Sequence, residues 1–384
     1  MSPRRGYRQP RRRAKVRPST DAVQAASSQA ELAADARHEG LAVTHRFDPG
    51  NDGPPFAATI RYRGRRESIA GKPRPGDTFT VEERVERVVP RSGPYSVTTR
   101  VYGLNPGDWT VTAELVRAPA IPTKAAVVRG GQTLPRVRWS WLRWRLRDEA
   151  FAPVHTRWGP WVRLTAMPAV IHGSWTAMVV LGIIVGIAAL LWFLSFEGIA
   201  AGPALIVAAV AVIGGTVGAK LWYVILRPRQ WRKSVSEGWS IDGSIVGAPI
   251  AAVIAMLVLD LPVLAFLDAG TPAFFVGVGI GRLGCFFTGC CAGRCTASRW
   301  GVWSSDRRVG ARRIPTQLLE SGLGFGLAII FGALDISGIL RVDGIVFVVG
   351  IGSYLAGRQL LLRLRADARS SSLGMEGRRR ATAV

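Results

Sequence analysis

The chain has 384 residues, of which 48% are hydrophobic, and a formal net charge of +24. Apolar runs long enough to cross a membrane follow Ala169 and none precedes it, which excludes an entirely water-soluble protein. All four cysteines lie between Cys285 and Cys295, a spacing unlike the disulfide framework of a small secreted domain. The arginine-rich N-terminus lacks the apolar segment of a secretory signal peptide, so we expect membrane insertion to begin at the first span.

Residues 1–40 are predicted to form a basic disordered tail that also acts as a topology signal. The sharper interpretation of this charge is contact with anionic phospholipid or nucleic acid. Residues 41–120 show short alternating runs, such as TFTVEERVERVV and DWTVTAELVR, separated by Pro and Gly turns. This pattern predicts a small all-β sandwich domain, Ig-like by analogy, with a binding or spacer role and no chemistry of its own.

Residues 121–168 form a linker rich in Trp and Arg that includes RVRWSWLRWRLRDE. Aromatic and cationic side chains together suit the lipid headgroup region, which predicts an interfacial helix. Interleaved aromatics and arginines are also typical of a nucleic-acid patch. Because a membrane span follows immediately, we expect anionic membrane lipids as partners and no nucleic acid.

Residues 169–365 are predicted to form an all-α membrane bundle of about six transmembrane helices, and residues 366–384 a second basic disordered tail. The third span contains Asp260 and Pro262, so we expect it to break near its end. The predicted spans are Ala169–Leu194, Ile199–Ile225, Ile245–Leu267, Pro272–Thr288, Gln317–Ala333 and Val342–Leu362.

The stretch from Gly279 to Thr296, GIGRLGCFFTGCCAGRCT, carries a single guanidinium, that of Arg282, at the expected depth of the membrane. Charged side chains are costly inside a bilayer and are retained there mainly for function, so Arg282 is a candidate site residue. The glycines of this stretch allow close backbone approach and loosen the helix, which favours a pocket over a plain span.

This stretch resembles the signature of the prolipoprotein diacylglyceryl transferase family, in a cysteine-rich form. Three more stretches agree in the same order: GAKLWYVI, SIDGSIVGAPIA and IPTQLLESG. The resemblance implies a multi-pass enzyme of the cell (plasma) membrane. Such an enzyme moves diacylglyceryl from phosphatidylglycerol to a lipobox cysteine thiol, next to the prolipoprotein signal peptide that it also binds. We expect no cofactor and no metal.

The resemblance also implies roles for individual residues. Arg282 is expected to bind the lipid phosphate, because a planar guanidinium pairs with two phosphate oxygens. Tyr354 and Arg358 match the family's final motif, share one helix face and are expected to be catalytic. The other residues expected to bind substrate are Gly284, Gly289, Gly293, Lys220 and Gln317.

Several positions depart from the family pattern. Asp242 stands where the family has a histidine that is a candidate general base, and it either substitutes as a catalytic base or caps the third span. Lys220 replaces an arginine, which keeps the charge and loses the fork. Cys285 and Cys290 stand in place of asparagine and glutamate. His172, the only histidine of the membrane zone, is interpreted as an interfacial side chain.

The cysteines leave several interpretations open. They fit no common zinc spacing, yet they could bind a soft metal, form a disulfide, activate one another or simply pack beside glycine. The alternative to a transferase is a catalytically inactive or redox- and metal-sensing relative of the same fold that uses these thiols.

The orientation of the bundle is open as well. With six spans, the N-terminal region shares one side of the membrane with the basic loops 227–238 and 294–313. The positive-inside rule places that side in the cytoplasm, whereas the resembling family's pocket faces outward.

Overall fold

The structure, a computed structural model, describes residues 41–69, 71–117, 132–133, 137–148, 154–155, 168–171, 173–225, 241–339 and 342–366. The predicted N-terminal tail, most of the linker, His172 and all of the C-terminal tail except Ala366 lie outside the described residues. A strand-rich part precedes a helical part, as the sequence predicts. No finding tests the Ig-like likeness of the first part, which stays a prediction.

The strand-rich part consists of two larger sheets, which turn apolar side chains towards a shared core, and one two-stranded sheet. The strands before the helices are β1 (Leu41–Phe47), β2 (Phe56–Arg66), β3 (Thr78–Val88), β4 (Tyr95–Val101), β5 (Asp108–Arg117), β6 (Gln132–Thr133), β7 (Val137–Ser140), β8 (Arg145–Asp148) and β9 (Val154–His155). One sheet has the order β3-β2-β5-β6, with β9 also paired to β5, and the other begins with β1 and β4. Inward side chains of both sheets, including Tyr62, Tyr95 and Trp109, form one core.

The second sheet combines strands of the N-terminal region with strands from a loop between two membrane helices. This loop contributes β10 (Val302–Ser305) and β11 (Val309–Arg313), in the order β1-β4-β11-β10. The Thr98 amide donates to the Arg308 carbonyl at 2.7 Å, and Val309 is buried in the core of the N-terminal sheets. The N-terminal region and this loop therefore share one side of the membrane domain, as six spans predict.

The predicted interfacial helix is wrong for the part of the linker that the structure describes. The strands β7 and β8 form a two-stranded antiparallel hairpin, which fits the period-two alternation of Arg with Val, Trp and Leu. Trp139 stacks on Trp303 with ring centroids 4.7 Å apart, and Trp144 stacks on Phe286 at 5.8 Å. The tryptophans thus pack the linker against the hairpin of β10 and β11 and against the helix that contains Phe286.

The helical part has the composition of a multi-pass membrane domain. Its described helices are α1 (Ser174–Phe196), α2 (Ala201–Ile225), α3 (Ile241–Val258), α4 (Val263–Thr288), α5 (Thr316–Ser337) and α6 (Ile345–Leu362). Five of these helices are long and apolar enough to cross a membrane, and α3 contains a shorter apolar stretch, Val246–Val258. Large apolar side chains such as Ile213, Val258 and Ile329 are exposed on the outside, as expected of a surface that faces lipid.

The predicted bounds of the third and fourth spans need correction. The third helix ends at Val258 instead of Leu267, Asp260 takes a φ of 52°, and Pro262 precedes the first residue of α4. Proline lacks an amide hydrogen and has a fixed φ, so it suits a helix start. The fourth helix therefore begins before Pro272, which lies inside it.

Glycines set the spacing of the helices. A Cβ on Gly218 of α2 would lie 2.4 Å from the carbonyl oxygen of Gly243 on α3, and a Cβ on Gly182 of α1 would lie 2.7 Å from that of Gly277 on α4. These backbones are in contact because no side chain separates them. The helix α4 packs against α1, α5 and α6, so it forms the centre of the bundle that carries Arg282.

We predict that Gly218→Ala destabilises the membrane domain by about 1–3 kcal/mol, the usual cost of overpacking. The clash is with backbone atoms of α3, which cannot move as a side-chain tip can. Thermal unfolding in detergent measures the loss. The matched control is Gly202→Ala in the same helix, where a Cβ would meet nothing within 4 Å. Equal stability of the two variants would contradict the close contact.

We also predict that Val97→Cys combined with Val309→Cys forms a disulfide. Val97 and Val309 lie opposite each other beside the hydrogen-bonded pair of Thr98 and Arg308, so their Cβ atoms are about 4.5–5.5 Å apart. A protease site in the linker then tests whether the two fragments stay joined without reductant. Val97→Cys with Val302→Cys is the control, because β10 does not border β4. Single variants control for the native thiols, and free fragments from the first pair would disprove the shared sheet.

Candidate active site

The centre of the site is an ion pair between α4 and α5. Arg282 Nε lies 2.8 Å from Glu320 Oε2, and the two side chains are 9% and 2% exposed. A buried charge is tolerated when a partner compensates it, so each of these groups requires the other. The second oxygen, Glu320 Oε1, is buried and has no hydrogen-bond partner among the described residues. Glu320 therefore pairs with Arg282 through one carboxylate oxygen, and its second oxygen is available to accept a hydrogen bond.

A second buried arginine lies on α6. Arg358 Nη1 donates to the Tyr354 hydroxyl at 3.5 Å, and both side chains are buried. Tyr354 lies in the neighbourhood of Arg282. The start of α6 is fixed from α4, because the Asp268 carboxylate accepts hydrogen bonds from the amides of Gly344 and Phe347 at 2.6 and 2.8 Å. This cap sets the position of the helix that carries Tyr354 and Arg358.

Three thiols lie beside Arg282 at the end of α4. The sulfur atoms of Cys285, Cys290 and Cys291 are within 4.8 Å of one another. Arg282 Nη1 is 4.0 Å from Cys285 Sγ, and the Cys290 thiol donates to the Cys285 carbonyl at 3.7 Å. Hydrogen bonds from the Cys285 and Cys290 thiols, with the charges of Arg365 and Arg282 nearby, hold the pKa of Cys291 well below its usual range. Within the described chain, this is the one group of side chains arranged to hold a metal ion.

The loop that carries these thiols is braced by the next helix. Gln317 Nε2 donates to the Cys290 carbonyl at 2.8 Å, and Thr316 Oγ1 donates to the Cys291 carbonyl at 3.2 Å. Cys291 itself has a φ of 56°, an uncommon conformation for a residue with a side chain. The backbone is thus fixed in a strained turn, which points to a functional constraint.

Comparison with known proteins identifies the family in which this site occurs. The family model of prolipoprotein diacylglyceryl transferase matches residues 164–382, more than half of the chain. The chain belongs to the prolipoprotein diacylglyceryl transferase family. This confirms the resemblance seen in the four sequence stretches.

The diacylglyceryl transferase relatives come from several bacteria. A phosphatidylglycerol-prolipoprotein diacylglyceryl transferase of Clostridium tetani (strain Massachusetts / E88) is 32% identical over 173 residues, which cover 43% of this chain and 69% of the relative. One of Dehalococcoides mccartyi (strain ATCC BAA-2266 / KCTC 15142 / 195) is 30% identical over 211 residues, covering 52% and 79%. One of Rhodopirellula baltica (strain DSM 10527 / NCIMB 13988 / SH1) is 34% identical over 122 residues, covering 28% and 24%.

The three glycines predicted to bind substrate lie at backbone contacts of this transferase fold. A Cβ on Gly284 would meet Met178 Cβ of α1 at 2.8 Å, and one on Gly289 would meet the Ser305 carbonyl of β10 at 2.7 Å. A Cβ on Gly293 would meet the Ile314 carbonyl at 2.1 Å. Each glycine therefore sets how closely the signature stretch packs against its neighbours. Gln317 instead fixes the loop through its hydrogen bond to the Cys290 carbonyl.

The structure does not bring every predicted site residue to the ion pair. Lys220 lies half-buried on α2, and Asp242 lies at the start of α3, where its side chain is outside the described residues. These two helices pack mainly on each other and only lightly on α4. The choice between base and helix cap for Asp242 stays a prediction. The clustered residues are instead Arg282, Tyr354 and Arg358, together with the thiols.

Sequence analysis recognised Glu320 only as part of the stretch IPTQLLESG and did not include it among the site residues. An acidic side chain within the apolar segment after Thr316 was the available signal, because such residues face the bundle interior and pair there. Its partner could not be identified from spacing, since Arg282 lies on another helix. Sequence analysis also did not predict that three thiols converge, because their spacing along the chain fits no common metal motif.

We predict that Arg282→Leu lowers stability by about 3–5 kcal/mol, because it leaves the Glu320 carboxylate buried without a counter-charge. The double variant Arg282→Leu with Glu320→Leu removes both charges and should recover most of this loss. Denaturant or thermal unfolding of the purified protein compares the two. If the double variant is no more stable than Arg282→Leu, the two charges do not compensate each other.

Proposed function

We propose that the protein transfers the diacylglyceryl group of phosphatidylglycerol to the thiol of a prolipoprotein cysteine, with release of glycerol phosphate. The observation that carries this function is the buried guanidinium of Arg282, held by Glu320 inside a membrane bundle of the transferase family. A catalytically inactive sensing relative is not favoured, because the relatives found by comparison bear the transferase name.

Arg282 is proposed to bind the lipid phosphate. Glu320 occupies the Nε position and Cys285 Sγ lies 4.0 Å from Nη1, so Nη2 remains to donate to a phosphate oxygen. Donors fixed in a dry, low-dielectric site stabilise developing charge without reorganising at the moment of reaction. Glu320 acts as a positioning residue in this scheme, because it aims the guanidinium.

Arg358 is proposed as the second phosphate ligand, with Tyr354 between the two arginines. The hydroxyl of Tyr354 accepts a hydrogen bond from Arg358, and Tyr354 lies in the neighbourhood of Arg282. Tyr354 is proposed to lie near the reacting thiol, and Asp242 is kept as a proposed catalytic base on a helix that packs only lightly on α4. Lys220, Gln317 and the three signature glycines are proposed to complete the walls of the substrate site.

The surroundings of the bundle follow from the same proposal. We assign the protein to the plasma membrane, where phosphatidylglycerol and the signal peptide of a prolipoprotein are both within reach of a membrane-embedded site. The basic segments are proposed to contact anionic lipids. The N-terminal sheets, which we propose form an Ig-like sandwich, cover the loop hairpin, so they serve as a spacer or binding module with no chemistry of their own.

We predict that the chain restores growth of a bacterium depleted of its own diacylglyceryl transferase. In vitro, Arg282→Lys should slow transfer from phosphatidylglycerol vesicles to a lipobox peptide by about 100-fold or more, because it loses the two-pronged donor. Arg299→Lys, on the exposed loop, is the matched control and should stay active. A correctly inserted protein that neither complements nor transfers, or full activity in Arg282→Lys, would refute the proposal.

A further inference from the structure

The three thiols beside Arg282 are arranged as an incomplete metal site. Four tetrahedral ligands at the zinc–sulfur distance of about 2.3 Å place neighbouring sulfurs about 3.8 Å apart. The sulfur atoms of Cys285, Cys290 and Cys291 are already within 4.8 Å of one another. Each pair of sulfurs therefore has to approach by at most about 1 Å to reach the separation of ligands on one zinc ion.

The backbone favours this convergence over casual packing. Neighbouring side chains in an extended chain point in opposite directions, yet Cys290 and Cys291 both face Cys285. The left-handed conformation of Cys291 makes this turn, and the carbonyls of both residues are fixed by Gln317 and Thr316. A site that is held in advance loses little entropy when a ligand binds.

The fourth cysteine does not belong to the group. The side chain of Cys295 packs against the core of the N-terminal sheets, and its backbone pairs with Arg313. Three protein ligands and one open position are typical of catalytic zinc, whereas structural zinc has four protein ligands. Three thiolates and Zn²⁺ carry one net negative charge, and the guanidinium of Arg282 lies beside them with Nη1 4.0 Å from Cys285 Sγ.

We propose that Cys285, Cys290 and Cys291 bind one Zn²⁺ ion whose open fourth position takes the thiol of the incoming prolipoprotein cysteine. This inference rests on the proposed function, since that function supplies a thiol as the acceptor. It differs from the expectation of no metal, which stays an untested prediction.

The zinc ion activates the acceptor for the transfer. On binding, the acceptor thiol loses its proton to water and becomes a zinc thiolate, which is the nucleophilic form. Its sulfur forms a bond to the glyceryl carbon while the bond between that carbon and the phosphate oxygen breaks. The electron pair of the broken bond leaves with glycerol phosphate beside Arg282. The product is a neutral thioether, a weaker ligand than a thiolate, so it can leave the metal.

The test starts with the metal content of the full chain, purified in detergent with reductant and without chelator. We expect one zinc per chain by mass spectrometry. Cys285→Ser, Cys290→Ser and Cys291→Ser should each bind zinc at least about 100-fold more weakly, at or beyond the upper end of the loss for a residue that only orients a ligand. Cys295→Ser is the matched control and should keep the metal. A metal-free wild-type chain, or copper in place of zinc, overturns the proposal.

Cobalt provides a second readout that does not depend on the folding of variants. Co²⁺ in the wild-type site should give thiolate charge-transfer bands and intense tetrahedral visible bands. A lipobox peptide should change these bands, whereas the same peptide with serine for cysteine should not. A spectrum that ignores the cysteine peptide overturns the open-position assignment.

Activity separates this inference from the proposed function. Removal of zinc by a chelator should abolish transfer, and added zinc should restore it. Transfer that continues without zinc refutes the metal site and leaves the transferase assignment standing. Zinc binding with a peptide response, but without transfer or complementation, supports the site and refutes the transferase.

Discussion

A guanidinium and a carboxylate buried together inside an apolar bundle constrain everything around them. Arg282 on α4 and Glu320 on α5 are separated by 2.8 Å and almost wholly enclosed. Either charge alone would favour partial unfolding or water entry, because desolvation of an unpaired ion costs several kcal/mol. The packing of α4 on α5 is thus required by charge as well as by shape, and the glycines between these helices allow the approach. The same contact fixes the direction in which the guanidinium fork points.

The signature loop after α4 is held from several directions. Backbone hydrogen bonds of 3.0 Å from Arg294 and 2.9 Å from Ala366 join this loop to the segment that follows α6. The sheet formed with β4 holds the hairpin of the loop from outside the bundle. A loop between membrane helices is ordinarily free to move. Here the N-terminal region adds strands to it, so the position of the thiols depends on contacts with that region.

Patterns within a continuous stretch of the sequence predicted much of this organisation, whereas contacts between distant segments escaped it. Apolar runs located the membrane part, and a lone guanidinium in one of them marked Arg282, because both signals are local. The pairing with Glu320, the crossing of β4 onto β11 and the convergence at Cys291 each join positions that only tertiary structure brings together. The linker failed for another reason: its composition suits a headgroup helix, but its period-two alternation, which decides the local structure, suits strands.

Charge balance gives a reason for two arginines in the proposed site. The Arg282–Glu320 pair is neutral as a unit. It therefore provides a phosphodiester with hydrogen-bond donors in a fixed direction but with no net electrostatic attraction. Arg358 has no carboxylate partner among the described residues, and it therefore supplies the net positive charge. A phosphodiester carries one negative charge, and the departing glycerol phosphate gains a second as its carbon–oxygen bond breaks. If Arg282 and Arg358 bind the phosphate as proposed, the two guanidinium groups interact more strongly with the departing group than with the bound lipid, which is the condition for accelerating the transfer.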